Sequence, residues 1–229
     1  MPARGFPVGA ALRFVASTVA FAALLFLTAG TLAWPAAWAY LVIITVVMVI
    51  YGAIVVRLHP ELIAERTHPP ADAKAWDKPF VAIVGVVGPI ALFLLAGFDR
   101  RFHWSPPPSA LSQVAGLVLV ATGGMLSNYA VACNRFFSSI VRIQRDRGHS
   151  VVDTGPYRFV RHPSYAGSIV YMAGTAMALG SRIALVGATF FSAVLVVRTA
   201  LEDRVLRREL DGYPEYATRV RFRLIPWVW

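Results

Sequence analysis

The sequence predicts an all-α, polytopic membrane bundle of about six spanning segments (five to six), with both termini cytoplasmic. Three observations carry this prediction. Of 229 residues 57% are apolar and 15% charged, with a mean hydropathy of +0.60, whereas soluble chains run at roughly 25% charged. The charges leave long uncharged runs between them. The 22 Lys and Arg divide 19 to 3 between the two sides that six spans define.

Residues 14–56 contain no Asp, Glu, Lys or Arg. A spanning helix needs about 20 apolar residues, because about 30 Å of hydrocarbon is crossed at 1.5 Å per residue. This run therefore holds two helices, 13–33 and 39–56, with Trp34-Pro35-Ala36-Ala37-Trp38 as the turn and interfacial anchor. The first stretch is longer than the ~7–15 apolar residues of a secretory leader and reads as a retained span. The run 79–98 supplies a third helix, and after the breaker Pro106-Pro107-Pro108 a fourth covers 109–132. Runs 162–181 and 183–197 supply the last two; the final one, at 15 residues, must lean or continue as helix past the bilayer. No long-period repeat or linker divides the chain. Residues 1–229 are read as one membrane domain, with a four-helix region 1–132 and a catalytic region 133–229 holding the last two spans and a cytoplasmic C-terminal segment.

The net charge of +10 is a topology signal. Only Arg100, Arg101 and Arg182 fall on the outer side, which follows the positive-inside rule and suits anionic headgroups. No recognition motif accompanies the basic residues, so nucleic acid is not an expected partner. Cys133 is the only cysteine, which excludes an intrachain disulfide, and it reads as an apolar filler. His59, His68, His103 and His149 share no metal-ligand spacing, and no metal is expected. Gly116, Gly123 and Gly124 suit close helix packing, with no strand before them to make a dinucleotide fingerprint. Asn128, inside the fourth span, reads as an interhelical hydrogen-bonding residue or the lining of a lipophilic tunnel.

Two stretches on the basic side, 133–165 and 198–229, hold most of the acidic residues. In Gly155-Pro156-Tyr157-Arg158-Phe159-Val160-Arg161-His162-Pro163-Ser164-Tyr165-Ala166-Gly167, Pro163 fixes φ and pushes His162 out of the α region. A helix therefore starts at Pro163, its free N–H groups and positive dipole end turned toward the cytosol. A basic aromatic turn that merely anchors a helix fits the same residues. In the second stretch Arg198 and Glu202 are i,i+4 on a helix continuing the last span. Glu202 and Asp203 read either as part of a solvated ion-pair face or as a seat for a cationic ligand group.

Together these pieces resemble the isoprenylcysteine carboxyl methyltransferase-like membrane methyltransferases. The resemblance rests on Gly-Pro-Tyr at 155–157, Arg-His-Pro-Ser-Tyr-Ala-Gly at 161–167, the acidic pair 202–203, Tyr213, Tyr216 and Ile225-Pro226-Trp227, and it covers 128–229. It implies a membrane-embedded helical methyltransferase using S-adenosyl-L-methionine. It also implies that Gly155, Pro156, Tyr157, Arg161, His162, Pro163, Tyr165 and Gly167 bind the nucleoside and methionine parts. Glu202 would meet the methionine ammonium, while Tyr213, Tyr216 and Arg219 close the site. Asp203 stands where the family usually has a second Glu.

The bound methyl is already activated, so the protein has to align acceptor, carbon and sulfur and exclude water. Arg198 is the candidate to orient an acceptor carboxylate bidentately; Asn134, Arg135, Arg142 and Gln144 are further acceptor-side candidates. The expected partners are the lipid bilayer and a lipophilic or membrane-associated methyl acceptor. A lipid amine or small thiol remains open as acceptor. A sterol-reductase-like NADPH enzyme and a non-catalytic transporter or channel are the competing classes. The expected location is a cell membrane if the source is bacterial and the endoplasmic reticulum if eukaryotic.

Overall fold

A computed structural model describes residues 8–58 and 73–229; Arg4, His59, Arg66 and His68 lie outside the described residues. Helices α1 (Val8–Ala29) and α2 (Pro35–Leu58) flank a turn in which Gly30 takes φ +68 and Pro35 occupies the first helical position. Helix α3 (Ala75–Phe102) opens on a 3-10 turn, passes through a π-helical turn at Ile83–Val87 and resumes as α-helix at Gly88. Pro89 lacks an N–H, so regular i→i+4 bonding cannot pass through this turn unbroken. Ser109 caps α4 (Ala110–Cys133) by accepting from Ser112 N. Helix α5 (Pro163–Ala178) begins at the proline that the sequence marks, and α6 (Arg182–Glu209) begins behind the N-cap Ser181. A short α7 (Tyr213–Arg219) completes the helices, and the described residues contain no strand.

Five helices are long and apolar enough to cross a membrane: α1, α2, α3, α4 and α6. The final charge-free run, at 15 residues, was expected to lean or to continue as helix past the bilayer, and α6 does continue, running for 28 residues through Arg198–Glu209. Arg, Leu and Glu there are strong helix formers, so the loss of apolarity does not end the helix. It is α5 that is short, at 16 residues, or roughly 24 Å.

Helices α4 and α5 meet backbone to backbone. A Cβ at Gly116 would lie 2.2 Å from Ala178 N, one at Gly123 2.6 Å from Tyr171 N, and one at Gly167 2.6 Å from Ser127 N. Gly116 and Gly123 on α4, and Gly167 and Gly174 on α5, are each seven residues apart, the close-approach packing that small residues permit. The core gathers Leu25, Trp34, Tyr40, Leu92, Val120 and Leu195, while Leu27, Val42, Val49, Val186 and Phe190 point outward, as a lipid-facing surface requires. At the end opposite the functional site, buried Asp99 accepts from Ser105 N and Oγ and from Ser181 Oγ, clasping the end of α3 to the start of α6.

Candidate active site

At the other end of the bundle, the loop 134–162, the start of α5, the polar half of α6, and α7 surround a cleft partly open to solvent. The motif loop is held from behind by the C-terminal tail. Arg161 N donates to Phe222 O (3.0 Å) and His162 N to Arg223 O (2.9 Å). Asp203, 1% exposed, accepts from Arg161 Nε (2.7 Å), Arg223 Nε (2.9 Å), Arg207 Nε (3.1 Å) and the Tyr213 hydroxyl (3.0 Å). Arg161 also donates to Val220 O and Arg221 O. One carboxylate thus ties the motif, α6, α7 and the tail into a unit.

Inside the cleft, Glu202 is half-buried and accepts from the Tyr165 hydroxyl at 2.6 Å. Among the described residues no cation lies within ion-pair distance of it. The Tyr165 ring stacks on His162 at 5.8 Å. His162 is 6% exposed, and its Nε2, 3.5 Å from Asp203 Oδ1, makes no hydrogen bond among the described residues. Tyr216 donates to Tyr157 O at 2.8 Å, and its ring meets that of Tyr213 at 5.4 Å. Burial pushes the phenols of Tyr157, Tyr213 and Tyr216 above the ordinary tyrosine value, so they stay protonated donors.

The expected site residues divide in two. Tyr157, Arg161, His162, Tyr165, Glu202, Tyr213, Tyr216, Asn134 and Arg142 all line the cleft. Gly155, Pro156, Pro163, Gly167, Asp203, Arg219, Gln144 and Arg198 do not. Gly155, at φ +56, lies against Cys133 and Tyr129, and Gly167 is spent on the α4 contact. Pro156 and Pro163 are buried and shape the turn and the helix start. Arg219 pairs with Asp153 on the surface at 3.1 Å. Gln144, fully buried, donates to Phe136 O and accepts from Arg147, which fixes the fold of its own loop. Arg198 donates to both oxygens of Asp77, at 2.7 and 2.8 Å, and to Ser139 O at 2.8 Å. The fork expected to take an acceptor carboxylate therefore already holds one from the chain. Asp77, Ser138, Ile140 and Val141 were not singled out from the sequence; the loop residues carry no motif, and Asp77 meets its partner across 121 positions.

The arrangement joins a carboxylate with no ion-pair partner among the described residues, aromatic walls and a membrane helix start, built mostly between α4 and α6. Residues 114–208 match the isoprenylcysteine carboxyl methyltransferase family. The chain is 31% identical over 108 residues to protein-S-isoprenylcysteine O-methyltransferase B of Arabidopsis thaliana, covering 46% of this chain and 55% of that one. It is 38% identical over 116 residues to protein-S-isoprenylcysteine O-methyltransferase of Schizosaccharomyces pombe, covering 47% of each. The probable enzyme of that name from Oryza sativa subsp. indica is 33% identical over 112 residues, which are 46% of this chain and 56% of the relative. The chain spans about half the length of the curated relatives it matches. The isoprenylcysteine methyltransferase match takes in the motif loop, α5 and Glu202; it leaves out α1 to α3, Asp77 and Tyr213 and Tyr216 of α7.

Proposed function

We propose that this chain is an integral membrane methyltransferase that uses S-adenosyl-L-methionine and methylates a lipophilic acceptor, in the manner of an isoprenylcysteine O-methyltransferase. The observation that carries the reading is Glu202: a half-buried carboxylate in an aromatic cleft, steadied by Tyr165 and with no ion-pair partner among the described residues. Such a group suits the ammonium of a methionine moiety. His162 Nε2, buried and 3.5 Å from Asp203 Oδ1, is held by the Asp203 cluster, and its ring in turn backs the Tyr165 ring that steadies Glu202. When bound, the cofactor supplies a methyl group already activated by its sulfonium. The chain's part is to hold and align: Glu202 anchors the amino end, Tyr157, Tyr213 and Tyr216 exclude water, and the acceptor is presented beside them.

A lipophilic acceptor is supported by a groove between α1, α2, α3 and α5, lined by Phe21, Ile44, Met48, Val84, Phe93 and Met172. Ser168 opens onto this groove and Ser164 onto the cleft, and both hydroxyls meet Ser127 Oγ, at 3.4 and 3.1 Å. The 19 to 3 division of basic residues supports a cytoplasmic cleft with both termini on that side. For a carboxylate acceptor, Arg142, which lines the cleft and pairs with the exposed Asp146 at 3.3 Å, takes the orienting role. The filled fork of Arg198 favours a second reading, an amine or thiol acceptor that needs no guanidinium. Lipid-reconstituted protein incubated with methyl-labelled cofactor separates these readings. Label on an S-isoprenylcysteine supports the first, label on a lipid amine or thiol the second, and no label on any of the three contradicts both.

A further inference from the structure

The pair Asp77–Arg198 stands outside the cleft, yet its contacts reach two parts of the cleft lining. Asp77 is fully buried and Arg198 is 6% exposed. Asp77 Oδ2 accepts from Val141 N (2.8 Å) as well as from Arg198, and Lys74 N donates to Val141 O (2.9 Å). Arg198 holds Ser139 O, and its guanidinium carbon lies 5.2 Å from the ring centre of Tyr165, the residue that steadies Glu202. Ser138, Ile140, Val141, Tyr165 and Glu202 all line the cleft. A buried ion pair gains little net stability over apolar residues of the same volume, so stability alone gives this pair no purpose. Its geometry does: it links the loop at 138–141 to Tyr165 through one rigid junction.

We infer that Asp77 is a positioning residue for the cofactor site. Through Arg198 it holds the 138–141 wall and the Tyr165–Glu202 pair in register before any ligand arrives. This rests on the reading of the cleft as an S-adenosylmethionine site. It also assigns the start of α3, outside the matched residues 114–208, a share in that site.

The test titrates full-length protein in lipid nanodiscs with S-adenosylmethionine by calorimetry, following thermal unfolding and amide exchange of 136–141 in parallel. The variants are D77N, D77E and D77N/R198M. D77N strands a buried guanidinium and lowers Tm, whereas the double variant removes both charges and recovers it. Positioning predicts that the double variant, at near wild-type Tm, still binds about tenfold more weakly and exchanges 138–141 faster. D77E keeps the charge but moves the wall, and is expected to bind more weakly as well. Wild-type affinity and exchange in whichever of these variants fold would show a purely structural pair and overturn the inference. No binding by wild type would overturn the cofactor reading itself, and this inference with it.

Discussion

Asp203 and Glu202 are neighbours in sequence with opposite circumstances. Asp203 is enclosed by Arg161, Arg207, Arg223 and Tyr213; Glu202 accepts a hydrogen bond from Tyr165 and has no ion-pair partner among the described residues. Replacing Asp203 by Asn leaves buried guanidinium charge uncompensated and is expected to cost about 3–5 kcal/mol of stability. Glu202→Gln is expected to leave Tm nearly unchanged, and thermal unfolding in one detergent compares the two. His149 gives a pH dependence. Burial, then Arg142 and Arg147, lowers its pKa to about 4, with its Nδ1 accepting from Gln144 N. The unfolded chain protonates this histidine below about 6.5 while the folded one does not. Its contribution to stability is therefore complete above about 6.5 and is lost as pH falls toward about 4. His149→Asn, which keeps an acceptor, should flatten that part of a Tm-versus-pH curve. The sequence exposed the residue types of the motif because Pro163 dictates a helix start locally. It could not separate ligand-facing residues from packing ones, since Gly155 and Gly167 are consumed by contacts with α4 that only the fold creates. Asp77 was invisible for the same reason.

At the scale of elements, charge-free runs revealed the helices because hydrocarbon excludes charge. They stop short of the end of α6, whose continuation the i,i+4 pair Arg198 and Glu202 marked, because a helix leaving the bilayer can become polar without unwinding. The π-helical turn of α3 left only the hint of Gly85, Gly88 and Pro89. The α4–α5 contact sets where the motif helix stands relative to the cleft. Gly167→Leu would drive a side chain into the backbone at Ser127, and is expected to cost about 1–3 kcal/mol or more. Its Tm should fall and its cofactor affinity with it. Gly52→Ala, where an added Cβ meets nothing within 4 Å, should change neither.

For the whole molecule, the spans, the clasp around Asp203 and the tail that braces the motif loop converge on one cleft at the basic end. The membrane architecture was legible because it is written in composition; the cleft was legible only in part, because the 134–142 loop, the start of α5, α6 and α7 meet there from distant positions. The central claim is that Glu202 seats the cationic end of S-adenosylmethionine. Calorimetric titration of lipid-reconstituted wild type and Glu202→Ala tests it most directly. Wild type is expected to bind saturably, with the Kd raised by about 10- to 100-fold or beyond detection in a variant of unchanged Tm. No binding by wild type, or equal affinity in both, would contradict it.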